Sequence, residues 1–343
     1  MNRQVTHRRR NRGLAFAGAV IATSALLGGC AESLPQPEPE APAAAPVLSE
    51  EQQANVLVSV GSVLDGATKD RSAKALKPRL TGPALEVRTS QLQVAKARGD
   101  NSLVTQIPAE YQQVVVPTTE TWPRTSYAIT VPTENLETPR LVALEQASAR
   151  EPYKLWGWVQ LVPDLTMPAF ADAEIGSAPV APDDDSLLAT PADALSQYAD
   201  VLSRGTEKSK AAKNFEILPD DLVKRLEKNA ANLRGTDSFE EAAAKYSMTF
   251  KPRGKDVRAV ATADGGAVVM GVLEGKESLV AEEGATVPPL TETQDALLGD
   301  ADATNTLRAE YTDMVALYVP PKDSDGKIRP LGFSHVATAA SNK

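Results

Sequence analysis

The sequence predicts an α+β protein in which a helical stretch followed by an antiparallel sheet occurs twice. Three observations predict it. Segments with apolar residues at helical spacing come first and β-branched, proline-broken runs come after, whereas alternating β and α units would be expected of a parallel sheet. The same order returns in the second half of the 343 residues. Finally, Val142-Ala143-Leu144 recurs 173 residues later as Val315-Ala316-Leu317, and the same offset carries Lys154-Leu155 onto Lys327-Ile328. Two hairpins of equal loop length with matching flanks point to a tandem duplication.

Residues 1–29 read as an export signal. Arg3, Arg8, Arg9, Arg10 and Arg12 precede an acid-free apolar run over 14–27. That run is shorter than the roughly 20 residues a membrane-spanning helix needs. It ends in Leu26-Leu27-Gly28-Gly29-Cys30, which resembles the lipobox of bacterial lipoproteins. The resemblance implies cleavage between Gly29 and Cys30 and diacylglycerol on the Cys30 thiol. Each buried methylene of an acyl chain contributes roughly 0.8 kcal/mol, and stable anchoring needs more than one chain, so a diacylated Cys30 meets the requirement. The expected address is the extracytoplasmic side of the cell membrane, reached by the general secretory or the twin-arginine route. Cys30 is the only cysteine, so no intramolecular disulfide is available and stability must come from packed cores. Loss of the leader removes five arginines and no acid from a chain of formal charge −9. So acidic an ectodomain repels phosphates, and nucleic acid is not an expected partner.

From Cys30 the chain continues as a tether over 30–47, where Pro35, Pro37, Pro39, Pro42 and Pro46 keep the backbone extended. A first α+β domain is expected over 48–176. Ser49-Glu50-Glu51-Gln52 matches a capping box, and Val56, Leu57, Val60, Val63 and Leu64 follow at helical spacing. A second helix is expected over 71–80, and a third over 83–97 with Pro83 in its first turn. Strands are expected over 103–107, 112–116, 125–131, 140–147 and 154–162. Residues 177–191, rich in Pro, Ala and Asp, read as a linker. The second domain, 192–340, is expected to hold helices over 192–202, 220–233 and 238–246. Its strands are expected over 248–251, 257–262, 267–273, 307–319 and 327–338, with the acidic stretch 281–303 as an insertion loop.

Helices followed by a curved antiparallel sheet, present twice, resemble the cystatin-like and nuclear-transport-factor-like α+β roll. The whole arrangement is similar to a group of actinobacterial lipoproteins of unknown function that carry two such modules. The resemblance rests on element order and the paired hairpins. It implies a fold and a compartment and transfers no active-site residue.

Candidate chemistry is sparse. Alternation along 154–161 puts Trp156 and Trp158 on one side with Lys154 and Gln160. That pair is a candidate stacking platform for a glycan or a lipid headgroup, and the competing reading packs both rings under the helices. The hairpin match places Arg329 at the position of Trp156 and Leu331 at that of Trp158, so a platform would belong to the first domain alone. Asp183-Asp184-Asp185 imitates a metal-nucleotide motif but reads as a solvated charge run. Asp323-Ser324-Asp325-Gly326 imitates a calcium loop, yet Pro321 and Gly332 occupy required ligand positions, and Asp325-Gly326 suits a hairpin turn. Ser324 and Lys327 have Ser-x-x-Lys spacing without the companion motifs. His335, the only histidine past the leader, cannot by itself build a histidine-based metal site and reads as a surface or core residue. No metal or cofactor is expected. The expected function is a non-enzymatic, lipid-anchored binding or assembly module for an envelope protein or glycan. The alternative is a ligand-binding protein or enzyme using a sheet-lined pocket of the first domain.

Overall fold

The computed structural model describes residues 45–133 and 135–343, which form six helices and eight antiparallel strands. The leader with Gly29, the acylation candidate Cys30 and the tether up to residue 44 lie outside the described residues.

Helix α1 (Glu50–Asp70) starts on the expected capping box: Ser49 Oγ accepts from the Gln52 amide at 3.1 Å and Gln52 Oε1 accepts from the Ser49 amide at 2.9 Å. It buries Leu57, Val60 and Leu64 and ends at Arg71, whose φ of 45° is left-handed. That turn is why the helix expected over 71–80 shrinks to a single 3₁₀ turn, Ala73–Ala75. Helix α2 (Gly82–Arg98) carries Pro83 in its first turn and packs on the fourth strand. Residues 103–107 are not a strand. They are pinned to α2 instead, with Thr105 accepting at its carbonyl from Arg88 Nη2 and at Oγ1 from Gln91 Nε2, both at 2.7 Å. The first four strands, β1 (Tyr111–Val115), β2 (Arg124–Thr130), β3 (Arg140–Gln146) and β4 (Lys154–Leu161), form a meander.

The second half repeats the order. Helix α3 (Pro191–Arg204) is capped by Thr190, and α4 (Leu222–Arg234) by Asp221. Helix α5 (Asp237–Glu241) is shorter than the expected 238–246, because the chain is already extended at Lys245. Strand β5 (Lys245–Ala261) joins the two expected strands across an irregularity between Pro252 and Val257. After β6 (Ala267–Val280), the stretch expected as an insertion loop contains α6 (Glu292–Leu298), whose Gln294 is fully buried. Strands β7 (Thr306–Val319) and β8 (Arg329–Ser341) complete the chain.

All eight strands belong to one curled sheet of order β1-β2-β3-β4-β8-β7-β6-β5. Each half contributes four strands, joined where Gln160 pairs with Phe333 and Leu161 with Gly332. The curl brings Glu145 of β3 within 2.6 Å of Arg258 of β5, a strand at the opposite sheet edge. One core accordingly mixes the halves: Leu57, Val87, Leu144 and Trp158 pack with Met270, Val272 and Met314. A second core sets Leu195, Tyr198 and Leu202 of α3 against Leu273, Val315 and Phe333. At Gly271 a Cβ would lie 2.3 Å from Leu195 Cδ1, so the bare backbone admits α3 closely. Residues 177–191 run against both halves through the bridges Pro117–Ser177, Pro179–Val260 and Leu187–Pro321.

The two hairpins share a bulge. It falls between Ala143 and Leu144 in β3·β4 and between Ala316 and Leu317 in β7·β8. Ala143 pairs with Gly157 and Ala316 with Gly332, so the second hairpin is two residues longer rather than equal. Leu331 therefore takes the position of Trp156 and Phe333 that of Trp158, replacing the expected Arg329 and Leu331. Backbone bulges and loop lengths do not register in a local sequence match, which is why the offset misled.

Candidate functional site

Trp156 and Trp158 present no stacking face, being 2% and 1% exposed. Trp156 is clamped by the N-terminus of α2, with a Cβ on Gly82 falling 3.0 Å from its Cδ1, and by the Arg258 guanidinium 4.8 Å from its ring. Trp158 lies below Arg88, 5.6 Å away. Burial of the Arg88 guanidinium with no ion pair lowers its pKa to about 10. The rings are core, and the platform reading is corrected accordingly: large aromatics in a chain with three tryptophans are needed for packing.

The functional candidate lies elsewhere, on strands of the second half. A cavity of about 640 Å³ opens between α2, α4 and α6, with Tyr246, Glu277, Tyr311 and His335 rising from the four strands β5 to β8. Alternation and register put these residues on one face: Glu277 pairs across to Met248, and Asp313 directly opposes His335. Glu277 accepts three hydrogen bonds, from Tyr246 Oη at 2.9 Å, Tyr311 Oη at 2.8 Å and Gln294 Nε2 at 2.6 Å. Burial, and then the Glu277 charge, raise both phenols well above the ordinary tyrosine range, which keeps them as donors. Gln294 Oε1 in turn accepts from the Leu290 amide at 2.9 Å, so the α6 segment is fastened to the strands by this network. Arg98 of α2 forms an ion pair with Glu292 of α6, neither of which lines the cavity.

Beside the network stands an Asp–His pair. His335 Nδ1 lies 2.5 Å from Asp313 Oδ1, and Asp313 is 0% exposed. The Tyr311 ring stacks on the imidazole at 4.3 Å with an interplanar angle of 3°, fixing its orientation. Asp313 Oδ2 has no hydrogen-bond partner, and a Cβ on Gly275 would sit 2.8 Å from it. Burial pushes the Asp313 carboxyl above the ordinary carboxylate range, against the lowering pull of His335. His335 lines the large cavity and also an adjoining one of about 520 Å³ that holds Arg140, Gln160 and Phe333. No lysine or arginine lines the larger cavity.

The other sequence candidates take structural roles. Asp184 accepts from the Ser186 amide at 2.9 Å in a local turn. Ser324 Oγ donates to the Pro321 carbonyl at 2.9 Å, closing the turn before β8. Among the described residues no group of three His, Cys, Asp or Glu is placed to hold a metal, and no helix is long and apolar enough to cross a membrane. Sequence reading singled out His335 without its setting and missed Tyr246, Glu277, Gln294, Tyr311 and Asp313. The available signal was an acid, Asp313, in a strand that continues as the apolar run Met314-Val315-Ala316-Leu317.

No curated protein and no solved structure matches the chain. Over residues 44–342 it matches the family described as a domain of unknown function, DUF8094, and the chain belongs to that family.

Proposed function

We propose that the protein is a lipid-anchored, extracytoplasmic binding protein that holds a small ligand in the cavity beneath α2, α4 and α6. One observation carries the binding half of this reading. The cavity is walled by side chains from both halves of the chain and sets a fastened polar network beside the apolar Leu226, Leu233, Met248 and Val336, a mixture expected of a ligand site. The anchoring half rests on the leader and on Cys30 as its acylation site. A tandem origin of the halves is supported by the bulge at the corresponding place of both hairpins.

Two experiments test the reading. Cys30→Ser should release the protein from membranes or leave its signal uncleaved, and normal fractionation and processing would sink the anchor. Native mass spectrometry of the full chain purified from membranes should show a retained small molecule. Asn229→Trp, at an exposed position lining the cavity, should displace it without lowering Tm. Retention by that variant would place the ligand elsewhere.

A further inference from the structure

We infer that the cavity takes an uncharged, hydroxyl-bearing, sugar-like ligand, one hydroxyl of which hydrogen-bonds Nε2 of His335. The inference rests on the cavity being a ligand site and names the chemistry that site selects. Nδ1 is committed to Asp313 at 2.5 Å and the ring is held by Tyr311, so Nε2 is the nitrogen left for the cavity. Nε2 has no hydrogen-bond partner among the described residues. A hydroxyl can accept from Nε2–H or donate to the bare nitrogen, so it suits either proton placement.

Charge narrows the class. Glu277 faces the cavity with three of its roughly four acceptor positions taken by neutral donors, and Asp313 stands behind His335. An anion would enter without a guanidinium or ammonium to meet it. A cation would reach at most the remaining acceptor position of a carboxylate that is 9% exposed, with no cluster of acids around it among the described residues. Shape agrees, since Leu226, Leu233, Met248 and Val336 line the same space as the polar floor. A pyranose, with an apolar C–H face and a hydroxylated rim, matches that division.

The buried pair also supplies the reason for its own presence. An aspartate with one unpartnered oxygen in a core costs stability, and its effect is to hold the imidazole in one orientation. Asp313 is therefore a positioning residue and His335 the contact.

The test uses the full chain carrying His7→Gln, which leaves His335 as the only imidazole. Its ¹⁵N resonances are followed while N-acetylglucosamine, glucosamine and glucuronic acid are added, three hexoses that differ in charge. A saturable shift of Nε2 with N-acetylglucosamine, at least tenfold tighter than either charged hexose, is expected. By calorimetry the Asp313→Leu/His335→Leu double variant, which leaves no unpaired charge, should lose at least tenfold in affinity. Glucuronic acid or glucosamine binding as tightly as the neutral sugar overturns the ligand class, and so does an undiminished affinity of the double variant. Absence of any shift with all three overturns it as well. If native mass spectrometry still finds a molecule displaced by Asn229→Trp, the cavity remains a ligand site and only this inference falls.

Discussion

Three residues before the shared bulge, the two hairpins carry opposite charges. In the first, Arg140 faces Gln160, and in the second, Asp313 faces His335. Both charged side chains are buried. Arg140 is answered by Glu137 and donates from Nη1 to the Thr138 carbonyl at 2.6 Å, although its Nε has no partner and it lines the smaller cavity together with Trp158. Asp313 has its second oxygen unanswered, and it reaches the cavities only through His335, which lines both. The difference lies in the partner: a buried cation with an acid of its own in the first hairpin, and in the second a buried acid met by an imidazole that opens onto the candidate site. A charge that is buried and incompletely paired lowers stability, and such groups concentrate where a protein does chemistry or binds.

Variants can break that contrast. The largest effect belongs to the first hairpin: Trp158→Ala should cost about 3–5 kcal/mol in urea unfolding, the usual price for removing a large buried aromatic. A loss below 1 kcal/mol would show that Trp158 is not core. In the second half, His335→Leu alone should destabilise by roughly 3 kcal/mol because it strands Asp313, while Asp313→Leu/His335→Leu should equal or exceed the wild type. If the double variant is the less stable one, the pair is there for folding rather than for a ligand.

A third variant separates the halves by pH. Burial raises the Asp221 carboxyl to about 6 from an ordinary 3.8, with hydrogen bonds from the Val223 amide and Tyr198 Oη opposing the shift. The folded protein binds this proton more tightly than the unfolded chain. The group's contribution is therefore complete below about pH 4 and is lost as pH rises through about 6. At about 1.4 kcal/mol per pH unit this amounts to roughly 3 kcal/mol. Asp221→Asn keeps the helix cap, so its stability relative to wild type should improve by that amount between pH 4 and pH 7. A flat difference would remove the desolvation account. The smallest effect is expected at the partly exposed tie between the halves, Glu86 to Arg253 at 2.9 Å. Arg253→Met should cost under about 1 kcal/mol and less in high salt.

The helix starts were legible because they are local: Ser49 with Gln52, and Pro83 inside a first turn, can be seen within four residues. The strands were legible in place but not in number: five were expected in each half where four form, since 103–107 packs on α2 and the two segments from 248 to 262 merge into β5. What escaped depended on partners distant in sequence. Residues 103–107 have strand-like composition but no ladder to join, and Arg71 ends α1 in a conformation that its side chain does not announce. The candidate site was hardest to see, since Glu277, Gln294, Asp313 and His335 come from three strands and a helix. Only strand register and the α6 crossing bring them together.

The ladder between β4 and β8, two residue pairs long, is the shortest in the sheet. The larger cavity is framed by α2 of one half and β5 to β8 of the other, with Ser90 of α2 donating to the Ala337 carbonyl at 2.9 Å, and the smaller cavity that adjoins it at His335 is lined at the seam by Gln160 of β4 and Phe333 of β8. A small parting there would widen the cavity while leaving each half's own ladders intact. Ligand residence time would then be set by how often two rungs and a handful of side-chain ties let go, well short of global unfolding.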